Sequence, residues 1–317
     1  MILCPQNGVN SQLWFLVKNN RECFLNRQVE KPRRQGILTA SCFWPGSEVD
    51  LTYRRPTYFK RYDRHRSYRQ RVDDALTWLQ LPEEKRPHFI TLYFEETDDV
   101  GHAYGPDSPE INRAIAHLDT VLGWLFTGLA KLPVARQVNV VVVSDHGMTI
   151  VKPENVVNIP TLLAGTDCRI EGYDQVLFFW PDSGKTGKIY RQLKKAAQHF
   201  QIYRRNEIPG FYHFRHHPFI SPLVAIADPG WVLQKSKDAV PAKMEKVSKG
   251  AHGYDNHFLD MHGIFYAIGP AFKSGYRTGT LRSVDIYPML CKIFDIPPRR
   301  NIDGKLERVE FILKPEK

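Results

Sequence analysis

The sequence predicts an α/β fold, and three observations lead there. Hydrophobic residues make up 42% of the 317 positions, enough to bury one substantial core. Two apolar runs rich in β-formers, residues 89–95 and 138–144, flank a segment of helical periodicity. Helical and strand patterns then go on alternating towards the C-terminus, as layered α/β chains do.

In chain order, a helix is expected over residues 70–80. The run Phe-Ile-Thr-Leu-Tyr-Phe-Glu at 89–95 reads as a buried strand whose C-terminal end carries acids. Ser108-Pro109-Glu110 supplies an N-cap, a proline at the first helical position and an early acid. Ile111, Ile115, Leu118, Leu122, Leu125 and Leu129 then recur at helical spacing. The strand at 138–144 follows, so the two strands form a parallel pair with a crossover helix. Such a unit places a ligand outside the carboxyl ends of its strands. Further strands are expected at 175–180, 223–227 and 263–268, and a helix at 188–199. Prolines and glycines recur from Pro209 to Gly230, which suggests irregular connections or a small antiparallel insert.

Composition excludes several classes of protein. No apolar run approaches the roughly 18–20 residues that span a bilayer. The first twenty residues lack the pattern of a secretory leader. Cys4, Cys23, Cys42, Cys168 and Cys291 lie far apart without a CxxC pair, so they read as mostly buried thiols rather than a disulfide framework. The formal net charge is +10, and between Arg54 and Arg71 eight Lys or Arg residues face one acid, Asp63. That patch favours an anionic partner. No zinc-finger spacing or other nucleic-acid motif accompanies it, so a small phosphate-bearing molecule is expected rather than a specific nucleic acid.

Three short clusters, each with a glycine close by, gather residue types that bind metals: Asp98 with His102, Asp145 with His146, and His252. Asp98 and His102, four residues apart after a strand, are expected to meet one ion through a turn. Ser144-Asp145-His146-Gly147 ends the next strand, where Gly147 supplies backbone freedom for a sharp turn. Mixed Asp and His ligation suits zinc better than calcium or magnesium, which take all-oxygen shells.

At these residues the chain resembles the nucleotide pyrophosphatase/phosphodiesterase (type I phosphodiesterase) family of the alkaline phosphatase superfamily. The resemblance rests on Phe43-Trp44-Pro45-Gly46-Ser47, Trp78-Leu79-Gln80-Leu81-Pro82, Gly101-His102-Ala103-Tyr104-Gly105-Pro106, Ser144-Asp145-His146-Gly147-Met148 and His252-Gly253-Tyr254-Asp255-Asn256, all in the family's order. Ile286-Tyr287-Pro288-Met289-Leu290-Cys291 is similar to the family's closing helix. The resemblance implies an alkaline-phosphatase-like fold, with a mostly parallel central sheet flanked by helices and a small insert. It divides the chain into an unmatched segment 1–35, a truncated catalytic domain 36–310 and a tail 311–317.

The resemblance also implies that Asp98, His102 and His252 bind one zinc, while Asp145 and His146 contribute to a second. Tyr62 matches a family tyrosine that stacks on the nucleobase, a role open to any aromatic face. Tyr93 resembles a tyrosine lining the pocket, and core packing is an equally open reading. Two family elements are not found: an early Asp-Gly aspartate for the second zinc, and a threonine nucleophile before Pro-Asn-His. The Asp-Gly pair here is Asp303-Gly304, and Pro-Asn-His does not occur. The expected function is therefore metal-dependent hydrolysis of phosphodiester or pyrophosphate bonds in nucleotides or related metabolites, from a chain lacking its nucleophile segment. The alternative is a noncatalytic protein that binds zinc or a nucleotide.

Overall fold

A computed structural model describes residues 2–3, 36–49, 55–163, 165–235 and 249–315. The chain forms two compact units. The first comprises Met1–Glu96, Ala114–Asp145 and Gly263–Lys317; the second comprises Thr97–Arg113 and His146–His262.

The first unit is built on a six-stranded sheet. Its order is Phe265–Ile268, Asn139–Val143, Ile2–Leu3, Phe89–Leu92, Thr39–Cys42 and Tyr58–Lys60. Thr39–Cys42 pairs in parallel with both of its neighbours. Asn139–Val143 shares their direction, because it and Phe89–Leu92 each pair antiparallel with Ile2–Leu3. The expected strand, helix, strand unit therefore exists, but Ile2–Leu3 separates its two strands. Phe265–Ile268 closes one edge antiparallel to Asn139–Val143, so four of the six strands run the same way and the sheet is mostly parallel.

Phe89–Leu92 and Thr39–Cys42 are buried at every position, which explains their lack of polar alternation. The buried hydroxyls of Thr91 and Ser41 satisfy each other at 2.8 Å. The helix Tyr68–Leu79 begins earlier than expected because Ser67 and Gln70 form a capping box. In the helix Pro109–Leu129 the buried positions include Ile111, Ala114, Val121, Leu125 and Leu129, whereas Ile115 is 54% exposed. The core stripe there runs through Ala114 and Val121, with Leu118 and Leu122 half-buried against it. Ile312, within the segment expected as a tail, is buried against the closing helix Ile286–Ile293 and its neighbours.

The second unit contains an antiparallel sheet in the order Phe200–Arg204, Leu223–Ala227, Val176–Pro181 and Cys168–Tyr173. It is larger than the insert expected after Pro209, because the segments from Cys168 onward belong to it. The helix Thr186–Ala196 buries Ile189 and Leu193 in the core of this unit. Two small pairings complete it: Val156–Asn158 with Val232–Gln234, and Thr149–Ile150 with Gly250–Ala251. Cys42 and Cys291 are buried free thiols and Cys168 is half-buried; Cys4 and Cys23 lie outside the described residues. Among the described residues no helix is long and apolar enough to cross a membrane.

Candidate metal centre

Asp98 and His102 stand on the helix Glu96–Tyr104 rather than on the expected turn. Residues four apart on a helix share a face, and His102 Nε2 lies 3.5 Å from Asp98 Oδ1. Gly101 is a poor helix former, and its place is explained by contact. A Cβ there would lie 2.5 Å from Met148 Sδ, and a Cβ at Gly250 would lie 2.4 Å from the Gly101 carbonyl oxygen. Two glycines thus let the helix and the strand Gly250–Ala251 meet backbone to backbone. Lys249 N–H donates to the His102 carbonyl at 2.8 Å. His252 follows directly, its Nε2 3.5 Å from Asp98 Oδ1.

His146 reaches the same carboxylate from the loop before Thr149–Ile150, its Nε2 3.8 Å from Asp98 Oδ1. Its ring stacks on that of His252, with centroids 3.5 Å apart and planes at 12°. Gly147 is required here for space rather than for an unusual φ. It is absent from the positive-φ glycines, but a Cβ on it would lie 2.1 Å from the Asp260 carbonyl oxygen and 2.6 Å from that of His262. Gly147 N–H donates to the Met261 carbonyl, holding the loop in that position.

The chemistry of the cluster follows from two facts. Nδ1 of His102 bonds to the Gly250 carbonyl at 2.8 Å, and Nδ1 of His146 to the Gly147 carbonyl at 2.7 Å. A carbonyl only accepts, so Nδ1 carries the hydrogen and the lone pair of each neutral ring is on Nε2, towards Asp98. Moreover, 3.5 Å exceeds an N–H···O hydrogen bond. It is close to the roughly 3.3 Å between two ligands that each lie about 2.0–2.1 Å from a tetrahedral ion. The candidate ligand atoms of Asp98, His102 and His252 all lie within 4.8 Å of one another, so these residues could hold a metal ion. The kinship of His146 with Asp98 was not visible in the sequence, since 48 positions separate them.

The remaining candidates are placed as follows. Asp145 is exposed and closes its part of the first unit. Tyr62 is 51% exposed, its ring edge-on to Phe43 at 5.4 Å and its N–H bonded to Glu48. Tyr93 is 2% exposed within the sheet core.

The basic patch differs from its expected form. Arg71 is buried and binds both oxygens of Glu95, at 2.6 and 2.8 Å. Lys60 and Arg66 pair with Asp74, and Arg69 with Asp73. Acids beyond the counted window thus neutralise half of its eight cations. Arg54 lies outside the described residues.

Fold and site together define an α/β protein with an Asp and His cluster suited to a metal. Comparison with known proteins narrows this: a family model described as "Type I phosphodiesterase / nucleotide pyrophosphatase" matches residues 11–255. The chain belongs to that family. It is 34% identical over 264 residues to bovine bis(5'-adenosyl)-triphosphatase ENPP4, covering 83% of this chain and 56% of that protein. It is 32% identical over 265 residues to human ectonucleotide pyrophosphatase/phosphodiesterase family member 5, covering 83% of this chain and 54% of the relative. The solved structure of an inactive variant of murine ectonucleotide pyrophosphatase/phosphodiesterase 5, in complex with AMP, superposes with a TM-score of 0.82 at 31% identity. That match covers 90% of this chain and 74% of the other. The chain spans about half the length of the curated relatives it matches. The family match begins upstream of residue 36, where the motifs alone placed its start.

Proposed function

We propose that this chain supplies the metal-binding and nucleotide-binding part of a hydrolase of phosphodiester or pyrophosphate bonds, with zinc as its metal. The observation that carries the reading is the convergence of Asp98, His102 and His252, with the His102 tautomer set by the Gly250 carbonyl. A donor set of one carboxylate and two neutral imidazoles matches zinc's preference for nitrogen and oxygen ligands at a tetrahedral site. When bound, the ion supplies Lewis-acid polarisation of a phosphoryl oxygen. Asp145 and His146 are proposed as contributors to a second zinc. The exposed ring of Tyr62 is proposed to stack on a nucleobase, and Tyr93 to line the substrate pocket. AMP in the complex of the murine relative supports a nucleotide as ligand.

One observation favours a second reading, a noncatalytic zinc- or nucleotide-binding protein: the sequence holds no Pro-Asn-His triplet to mark a threonine nucleophile. Elemental analysis of the purified chain, paired with hydrolysis of a chromogenic nucleotide phosphodiester in zinc, separates the two. About two zincs with turnover would establish the hydrolase and show that another group supplies the nucleophile. About one zinc without turnover would support a surviving first site in an incomplete or noncatalytic chain. A metal-free chain would overturn the hydrolase and leave only nucleotide binding of the second reading.

A further inference from the structure

The antiparallel unit contains a cavity of about 470 Å³ lined by Thr186, Arg204, Arg205, Asn206, Arg215 and His216, with Pro222 at its wall. None of these residues belongs to the Asp98 cluster. We infer that this cavity is a binding site for a phosphate-bearing small molecule, held chiefly by Arg205 and Arg215.

The charge balance of the lining leads to this assignment. Arg204 is already satisfied: its Nε lies 3.6 Å from Glu207, and its guanidinium rests 4.4 Å over the Tyr190 ring. Arg205 spends its Nε on the Ser221 carbonyl at 3.5 Å, and Arg215 spends its own on His216 Nε2 at 3.3 Å. A guanidinium has five N–H donors, so the terminal nitrogens of both remain for a ligand. Among the described residues no carboxylate forms an ion pair with either. This contrasts with Arg66, Arg69 and Arg71, each matched to an acid.

Local backbone adds to the same sign of charge. The helix Thr186–Ala196 starts at the cavity with no acid in its first turn and no side-chain cap on its amides, so its end adds positive potential there, while the nearby Asp182 is bonded to Lys185 at 2.7 Å. The backbone that carries two of these arginines is fixed. Arg204 ends the strand Phe200–Arg204, and Arg205 N–H is bonded to the Pro222 carbonyl at 3.0 Å. Forked, always-charged donors around a helix N-terminus match the oxygens of a phosphate better than a single carboxylate. The volume lies within the range of about 300–1,000 Å³ typical of small-molecule pockets, which leaves room for an organic group on the phosphate.

The test is calorimetric titration of the full chain with inorganic phosphate and with phenyl phosphate, each with and without a metal chelator. The expected result is chelator-insensitive binding that weakens with salt and falls about tenfold or more in Arg215→Gln, the loss expected for a charge-assisted bond. Arg215 is exposed and without a carboxylate partner, so the variant retains its fold, which circular dichroism verifies. Arg205→Gln should give a similar loss. Tighter binding of phenyl phosphate assigns the site to esters, and equal binding assigns it to free phosphate. Affinity unchanged in Arg215→Gln, or binding abolished by the chelator, overturns the assignment.

Discussion

Arg71 shows how a single residue can mislead when only its neighbours in sequence are counted. In the chain it completes a basic run; in the fold it is 1% exposed and bonded to Glu95, the Tyr93 carbonyl and the Arg66 carbonyl. Its guanidinium also lies 4.6 Å over both Phe43 and Tyr68. Burial works against its charge, but the bond to Glu95 and that carboxylate's charge, with Tyr68 and Cys42 adding to them, together outweigh this and raise its pKa above the usual value. Removing the acid alone strands a buried cation, so Glu95→Ala should destabilise the protein by about 3 kcal/mol in urea unfolding. Arg71→Met combined with Glu95→Leu should recover most of that loss; a double variant as weak as the single would show that the pair does not act through charge. Cys42 gives a prediction in pH. Burial, with Asp74 adding to it, pushes its thiol from 9.0 up to about 12. The folded state therefore keeps the proton while an unfolded chain releases it, so this contribution to stability is complete below pH 9 and declines as pH rises towards 12. Urea midpoints measured from pH 8 to 10 should fall more steeply for the unchanged protein than for Cys42→Ala.

At the scale of elements, the centre depends on three short segments that glycines bring together. The loop at His146 is held by Gly147, whose Cα faces the Asp260 and His262 carbonyls with no room for a methyl group. Gly147→Ala must move that backbone, and the carbonyl of the same residue fixes the His146 tautomer. The variant should stay folded but lose about tenfold or more in zinc affinity, as removal of a ligand's supporting partner typically does; zinc competition with a chromophoric chelator would measure it. Unchanged affinity would mean that His146 lies outside the working site. The motifs carrying Asp98, His102, His146 and His252 were legible because ligand types beside glycines are rarely grouped by chance. The helix beneath Asp98 and His102 was not. Thr97, Val100 and Gly101 argue against a helix locally, and the contact with Gly250 that stabilises it is 149 positions away. The strands Phe89–Leu92 and Asn139–Val143 were legible from their apolar runs, but pairing between them was misread, because Ile2–Leu3 carries no periodicity long enough to register.

For the whole molecule, the division into two units sets where the effect of the metal should be felt. Asp98, His102, His146 and His252 all lie in the second unit, while the six-stranded sheet and the cores around Phe89 and Leu125 lie in the first. A ligand that binds only the folded state stabilises the structure that holds its donors, by an amount set by its concentration relative to Kd. The Gly250 and Gly147 carbonyls orient two of the imidazoles and ring stacking aligns His146 with His252, and a bound ion would add its own bonds to these. Chelation should therefore raise amide hydrogen exchange at Glu96–Tyr104, Thr149–Ile150 and Gly250–Ala251, where local opening reports local stability. Phe89–Leu92 and Asn139–Val143, buried in the first unit's sheet, should exchange at their original rate. Uniform acceleration across both sets would show that the units unfold as one cooperative body. No acceleration anywhere would show that the cluster binds no stabilising metal, removing the observation on which the proposed hydrolase rests.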